Sequence, residues 1–286
     1  MRPISVVLGD YPHTRYIKAQ SELASARTSF PAITPVHDAF GDMVRLQRYD
    51  VCELALGTFL QAREAGKPLL LLPAVMVGGF HHANLLRSPV DPPRSPEELI
   101  GRRVGVRAYT TTMGLWVRSI LDDEYGVRSA GITWVTTEES HVAEYREPGN
   151  VARADESPRD ELIRGGLAAA ILNARENPGL ETLIPEPTEA SRRWYARHQT
   201  VPVNHLVAVT RSLADEAPDV VAAVYSALTA GIDDAARPAG PGNELPTAIR
   251  YGKDAVRPAI ELAGVAARRQ GLITRDLEDI DALFAL

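Results

Sequence analysis

Short apolar runs alternate with helix-like segments along most of this chain of 286 residues. Ile4–Leu8, Asp50–Leu54 and Leu69–Pro73 are apolar over most of their length, as strands are when both faces of a sheet are covered. Leu56–Ala65 and Met113–Tyr125 have the length and the apolar spacing that favour helices. This alternation predicts an α/β protein with parallel strands.

The same criteria predict further elements downstream. The further strands are His82–Leu86, Arg103–Arg107, Ile132–Val135, Leu167–Leu172 and Val201–Thr210. One further helix is expected to begin after a cap at Thr14 and to run through the next ten or so residues. The others are Thr188–Arg197, Ala217–Ala235, Pro258–Gln270 and Asp276–Leu286. Residues 144–161 and Arg237–Pro246 are rich in turn-forming residues, so we expect loops there, and a mobile surface loop at 144–161.

Two connections divide this pattern into lobes. A proline-rich segment over residues 88–96 leads into a second group of strands, and the strand near 201–209 leads back. We therefore expect residues 1–99 and 204–286 to form a discontinuous first lobe and residues 100–203 to form the second. A ligand cleft between the two lobes is the expected site.

The composition excludes several classes of function. A net charge of −6 argues against general nucleic-acid binding, so an anionic ligand needs a local cluster of positive groups. Cys52 is the only cysteine, which excludes an internal disulfide and a cysteine-based metal site. No apolar stretch is long enough to span a membrane, and the N-terminus lacks the apolar core of an export signal. We expect a cytoplasmic protein without membrane partners, and a homo-oligomer stays open.

A set of short segments, spread over nearly the whole chain, carries a resemblance to a known family. The segments are Gly9–Tyr11, Tyr49–Leu54, Gly79–His82, Gly101–Val106, Trp116–Arg118, Asp123–Val127, Pro202–His205 and Gln270–Leu272. Together they resemble the 4,5-dihydroxyphthalate decarboxylase family, whose members share the type 2 periplasmic-binding-protein fold. The resemblance implies a two-lobe α/β protein that decarboxylates a small aromatic carboxylate without a cofactor.

Three positions depart from the family pattern. Ala108, Ala83 and Ala168 stand where the family usually has acidic or polar residues. Such losses near a cleft suggest a changed substrate or a changed reaction. The alternative is a binding role on the same fold, either a solute-binding protein of an ABC transporter or a cytoplasmic ligand sensor.

His82 and His205 are the candidate acid–base residues, because both lie in strand-like stretches that the resemblance places beside the cleft. The alternative for each is a buried histidine bonded to the backbone. His81 and His82 are adjacent in a predicted strand, so their side chains point to opposite faces and are not expected to share a metal ion. No dinucleotide-binding or phosphate-binding glycine motif is present, so we expect neither a metal nor an organic cofactor.

The expected substrate is a small anionic, aromatic carboxylate. Thr110, Thr111 and Thr112 lie at the start of a predicted helix, where hydroxyls and free backbone N–H groups can hold a carboxylate. The alternative is that Thr112 only caps the helix. Trp116 lies one turn further on, and can face the cleft with Thr112 or pack in the core.

Four further residues complete the expected site. Arg15, beside Asp10 in the first strand-to-helix turn, is the candidate carboxylate anchor; the alternative is a surface ion pair between the two. Tyr109 and Glu53 are the candidate partners of a ring hydroxyl, although Glu53 can equally cap the next helix.

One helical pair is expected to lie outside the site. Arg118 and Asp122 are four residues apart on the predicted helix and are expected to form a surface ion pair.

Overall fold

The computed structural model describes residues 3–236 and 245–286, so most of the loop expected at Arg237–Pro246 lies outside the described residues. The strands in chain order are β1 (Ile4–Val7), β2 (Glu22–Leu23), β3 (Ala26–Ser29), β4 (Val51–Ala55), β5 (Leu69–Gly78), β6 (Leu85–Arg87), β7 (Arg103–Gly105), β8 (Thr133–Thr136), β9 (Val151–Arg153), β10 (Ala169–Ile171) and β11 (Val203–Thr210). The helices are α1 (Arg15–Lys18), α2 (Asp38–Leu46), α3 (Leu56–Glu64), α4 (Thr112–Tyr125), α5 (Pro158–Ile163), α6 (Pro187–His198), α7 (Arg211–Glu216), α8 (Pro218–Ala235) and α9 (Lys253–Arg269).

The strands form two sheets, in the orders β2-β3-β1-β4-β11-β5 and β6-β10-β7-β8-β9. In the first sheet, β1 runs parallel to β3 and β4, while β11 lies antiparallel between β4 and β5. In the second, β10, β7, β8 and β9 are parallel and β6 is antiparallel to β10. The α/β architecture with parallel strands agrees with the sequence analysis.

The chain enters the second sheet earlier than the expected lobe boundary. β6 pairs with the second sheet although it precedes residue 100. The chain returns to the first sheet at β11, close to the expected crossing. The division at 1–99 with 204–286 and 100–203 stays a prediction.

β5 is longer than the run Leu69–Pro73 that marks it in the sequence. It continues to Gly78, and Pro73 lies inside it. A proline cannot donate a hydrogen bond, so it is tolerated in a strand mainly at the edge of a sheet, and β5 is an edge strand of the first sheet.

Four sequence expectations are wrong in detail. The helix after Thr14, α1, is only four residues long, because the chain then forms the β2–β3 hairpin. The expected loop 144–161 contains β9, which pairs with β8, and α5, whose N-cap is Ser157.

The other two concern an expected strand and an expected helix. The strand expected from His82 begins only at Leu85, after a turn of 3-10 helix. The expected C-terminal helix is a 3-10 turn, because the tail instead bridges to β5, with the Ala285 N–H donating to the Leu71 carbonyl.

The first sheet and the second sheet face each other at the ends that carry polar residues. β4 and β11 bring Ala55 and His205 opposite each other. β7 and β10 end nearby, and the chain leaves β7 towards Thr111, the N-cap of α4. Loops at the carboxyl ends of parallel strands are the usual ligand-binding positions in such sheets.

Among the described residues, no helix combines the length and the apolar character that crossing a membrane requires.

Candidate active site

A cavity of about 500 Å³ lies between the two sheets. Its apolar lining includes Phe40 and Val77 from the first-sheet side and Ile171 from the second-sheet side. The polar side chains of the lining are His37, Thr58, Arg107, Thr110, Thr111, Thr112, Glu138, His141, Asn173, Glu176, Asn204 and His205. A volume of this size holds one substituted aromatic ring, and the lining offers it both apolar surface and hydrogen bonds.

His205 and Glu53 form a hydrogen-bonded pair at the wall of the cavity. Nδ1 of His205 lies 2.7 Å from Oε1 of Glu53. Glu53 is opposite Val207 in the β4–β11 pairing, so His205 is its diagonal neighbour on the same face of the sheet. His205 lines the cavity, whereas Glu53 is fully buried.

Three donors surround the Glu53 carboxylate. Besides His205, the Gly9 N–H lies 2.8 Å from Oε2 and the Tyr11 hydroxyl lies 2.9 Å from Oε1. Burial raises the pKa of Glu53, but the hydrogen bond and charge of His205, together with the Gly9 and Tyr11 bonds, outweigh burial and hold this pKa below its usual value. Glu53 is therefore ionised near neutral pH.

The pairing with Glu53 fixes what His205 can do. With Nδ1–H donated to the carboxylate, Nε2 is the ring nitrogen left to exchange a proton or bind a ligand. Phe40 packs edge-on against the ring, with centroids 5.3 Å apart, and limits its rotation.

The three threonines lie at the cavity wall, but the cap is displaced by one residue from its expected place. Thr111, not Thr112, is the N-cap of α4, and its hydroxyl accepts a hydrogen bond from the Gly114 N–H at 3.2 Å. Thr112 is the first helical residue, and its hydroxyl accepts from the Gly57 N–H at 2.9 Å. Thr111, Thr112 and Met113 all line the cavity, so the N–H groups of the first turn lie at its wall.

Arg107 is a cavity residue that the sequence analysis missed. Its Nη1 lies 3.0 Å from Oε2 of Glu138, and both residues line the cavity. The signal in the sequence was its place at the end of an expected strand, three residues before the helix-start threonines. This puts a guanidinium beside the N-terminus of α4.

His37 and His141 were also missed. Burial and the nearby charge of Arg107 lower the pKa of His37, with Asp38 acting in the opposite sense. Burial, followed by the charge of Arg107, lowers the pKa of His141 to about 4. Nδ1 of His141 lies 3.1 Å from the Thr58 hydroxyl. His141 is therefore a neutral ring near neutral pH.

Tyr109 and Trp116 do not reach the cavity. The Tyr109 hydroxyl is buried and donates to the Gln270 carbonyl at 2.8 Å. The Trp116 indole N–H donates to the Val203 carbonyl at 2.9 Å. These bonds fix both side chains in the core, and neither residue lines the cavity.

His82 does not reach the cavity either. It is 1% exposed, and its Nδ1 lies 3.1 Å from the Ser191 hydroxyl. Its Nε2 lies 3.6 Å from Oε2 of Glu124. The position expected beside the cleft is corrected to a buried one between α4 and α6, because the chain turns at His82 instead of continuing a strand.

The expected carboxylate anchor lies on the surface. Asp10 and Arg15 are exposed, and Asp10 pairs with Lys18 rather than with Arg15. Neither residue lines the cavity. The expected surface pair of Arg118 with Asp122 is also wrong, because Arg118 is buried and bonds to Tyr109 and Gln270.

The described residues, 3–236 and 245–286, contain no group of three or more His, Cys, Asp or Glu side chains placed to hold a metal ion. Nε2 of His81, the residue next to His82, instead donates to Oδ1 of Asn204 at 2.7 Å.

Comparison with known proteins finds two curated relatives over most of the chain. The chain is 27% identical over 241 residues to the 4,5-dihydroxyphthalate decarboxylase of Comamonas testosteroni, covering 78% of this chain and 73% of the relative. It is 24% identical over 215 residues to the 4,5-dihydroxyphthalate decarboxylase of Pseudomonas putida, covering 67% and 81%. No family model matches. The resemblance found in the sequence is confirmed.

Solved structures with the same fold cover nearly the whole chain. The periplasmic aliphatic sulphonate binding protein SsuA of Escherichia coli has a TM-score of 0.58 at 13% identity, covering 99% of this chain and 92% of that one. The putative SsuA of Methylobacillus flagellatus has a TM-score of 0.58 at 10% identity, covering 99% and 90%. The desulfurization enzyme DszB has a TM-score of 0.58 at 13% identity, covering 99% and 96%. The chain is thus a relative of the 4,5-dihydroxyphthalate decarboxylases, with the α/β fold of the periplasmic binding proteins.

Proposed function

We propose that this protein is a decarboxylase of a small hydroxy-aromatic carboxylate, similar to 4,5-dihydroxyphthalate, and that it uses no cofactor. The observation that carries the proposal is the 2.7 Å bond between Glu53 and His205 at the wall of a cavity whose lining includes Arg107 and the N-terminus of α4. The names of the two curated relatives support the same reaction.

Decarboxylation of an aromatic acid needs a proton at the ring carbon that carries the departing carboxylate. An imidazole whose Nδ1–H is held by a buried carboxylate presents its Nε2 to the ligand and is suited to deliver that proton. His205 occupies this role, with Glu53 behind it.

The reaction then balances without a cofactor. The Nε2–H bond of His205 breaks and its proton forms a C–H bond at the ring carbon, while a ring hydroxyl supplies electron density. The bond between the ring and the carboxylate breaks, CO₂ leaves, and the electron pair of that bond restores the aromatic ring. Water returns the proton to His205, and Glu53 stays ionised throughout.

The lining residues supply the remaining functions. Arg107 and the first N–H groups of α4 anchor a carboxylate that is retained in the product. The neutral ring of His141 and the amide of Asn204 are available to a ring hydroxyl. Phe40 gives the ring an apolar contact and helps to exclude water.

Binding without reaction is the second candidate function. A cavity with Arg107 and a helix N-terminus would bind a small carboxylate even if His205 transferred no proton, as a solute-binding protein or a ligand sensor does. The decarboxylase proposal keeps the cytoplasmic location expected from the sequence.

Incubation with a panel of hydroxylated benzoates and phthalates, labelled with ¹³C in the carboxyl groups, tests the proposal. Release of labelled CO₂ with formation of the corresponding phenol supports decarboxylation. Saturable binding of one of these acids without CO₂ release supports the binding role instead.

A further inference from the structure

Arg118 is a buried cation without an anionic partner among the described residues. Its side chain is 1% exposed, and it belongs to α4. Its Nε donates to Oε1 of Gln270 and its Nη2 to the Tyr109 carbonyl, both at 2.7 Å. Nη1 has no hydrogen-bond partner. All of these acceptors are neutral, so nothing in this set compensates the positive charge.

The guanidinium also lies close to two aromatic rings. The guanidinium carbon lies 4.1 Å from the centre of the Tyr109 ring and 5.2 Å from the Trp134 ring. Cation–π contacts of this kind are weaker than an ion pair in a buried setting. Burial lowers the pKa of Arg118, although a guanidinium remains protonated near neutral pH.

The guanidinium lies close to the N-terminal turn of α4, while Arg118 itself lines a separate pocket with Asp122, Asp123 and Gln270. A Cβ placed on Gly114 would lie 3.0 Å from Nη1 of Arg118 and 2.8 Å from the Thr111 hydroxyl. Arg118 therefore packs against the first turn of α4, whose Thr111 and Thr112 line the cavity. The carbonyl that it holds, that of Tyr109, immediately precedes Thr110, another cavity residue.

Through these contacts Arg118 has two effects on the part of the cavity wall at the start of α4. The bond to the Tyr109 carbonyl fixes the turn that leads into α4. The charge adds to the positive potential of Arg107 and of the helix N-terminus in a water-poor region, where charges act over longer distances than in water. An anion in the cavity would interact with this charge in addition to that of Arg107, which is itself paired with Glu138.

We propose that Arg118 is a positioning residue that holds the Tyr109–Thr112 turn and whose uncompensated charge makes the cavity selective for carboxylates. The inference rests on the proposed function only in taking a carboxylate as the ligand. It does not require that the ligand be decarboxylated.

The test compares a charged and a neutral probe of nearly the same shape, benzoate and benzamide. The wild-type protein is expected to bind benzoate more tightly than benzamide, in an NMR titration of the cavity residues. Arg118→Met is expected to reduce the benzoate preference about tenfold by weakening benzoate alone, because only the anion interacts with the lost charge. The benzamide affinity is expected to stay within about twofold.

Two variants serve as controls. Arg128→Met removes an exposed positive charge beyond the far end of α4 and is expected to leave both affinities unchanged. Arg118→Lys keeps the charge, and is expected to keep the benzoate preference. If Arg118→Met does not fold, Arg118→Gln carries the test, because it also removes the charge but keeps a polar side chain.

Three results would overturn the inference. They are an unchanged benzoate preference in the variant that removes the charge, a loss of that preference in Arg118→Lys, and a wild-type protein without that preference. Failure of the decarboxylase proposal is a separate result, because it appears as an absence of CO₂ release while the benzoate preference still depends on Arg118.

Discussion

His205 and Glu53 are diagonal neighbours across the β4–β11 pair, and only the histidine of the two lines the cavity. The Glu53 side chain is fully buried, and its Oε1 lies 2.7 Å from Nδ1 of His205. This arrangement orients the imidazole and leaves Nε2 for the ligand. The group that would exchange a proton, His205, is thus distinct from the group that holds its orientation, Glu53.

The first prediction concerns Glu53 and acid stability. Its folded-state pKa lies below the usual 4.5, so below that pH the unfolded chain binds more protons than the folded one. The contribution of Glu53 to the free energy of unfolding is therefore complete above pH 4.5 and declines as the pH falls through the folded pKa.

Glu53→Gln tests this through the melting temperature, measured between pH 3 and pH 7 (roughly the range over which carboxylates titrate). The difference between wild type and variant is expected to shrink as the pH falls. Parallel curves over the whole range would show that Glu53 is not held in its ionised form.

The second prediction concerns the carboxylate anchor. Arg107→Met is expected to weaken binding of a carboxylate ligand by about 1.5–3 kcal/mol, the value of a hydrogen bond to a charged group. Arg15→Met is the matched control, because Arg15 is exposed and outside the cavity lining. Isothermal titration with phthalate measures both. A larger loss of affinity in Arg15→Met than in Arg107→Met would show that Arg15, as expected from the sequence, binds the carboxylate.

The third prediction separates His82 from His205. His82 is buried against Ser191 and Glu124, so His82→Asn is expected to cost roughly 1–3 kcal/mol of unfolding free energy by leaving buried polar groups unpaired. Turnover per folded molecule is expected to stay within a few-fold of wild type. Denaturant unfolding and initial rates on the same sample measure the two quantities. A normal stability of His82→Asn with a large loss of turnover would show that His82 takes part in the reaction, contrary to this prediction.

The fourth prediction concerns metals. His37, His141 and His205 all line the cavity, yet the described residues form no group placed to hold a metal ion. Protein treated with a chelator is expected to keep its full rate of CO₂ release. A loss of rate that a divalent ion restores would contradict this.

The sequence located both members of the central pair but could not pair them. Glu53 and His205 are 152 residues apart, and their contact depends on β11 entering the first sheet between β4 and β5. The strand order of a sheet is a long-range property that apolar periodicity does not contain. The same periodicity did predict the strands and helices that carry the two residues.

The failures at Arg107 and Arg118 have a different cause. Arginine is most often a surface residue, so local reasoning assigned Arg118 to an exposed pair with Asp122. Its burial follows from the packing of α4 against Gln270 beyond α9, far away in sequence. Arg107 was passed over because its position beside the helix N-terminus became clear only when β7 was seen to end at Gly105.

The last prediction concerns His205, and its measurement is CO₂ release from a carboxylate that the protein is shown to bind. Wild-type protein is expected to release one CO₂ for each phenol formed. His205→Asn is expected to lower that rate, per folded molecule, by roughly 10²–10⁴, the usual contribution of a general acid–base group, with ligand affinity nearly unchanged. Its melting temperature is expected to fall, because the buried Glu53 carboxylate loses a hydrogen bond. Absence of CO₂ from every bound acid, or a rate in His205→Asn within a few-fold of wild type, would contradict proton transfer by this histidine.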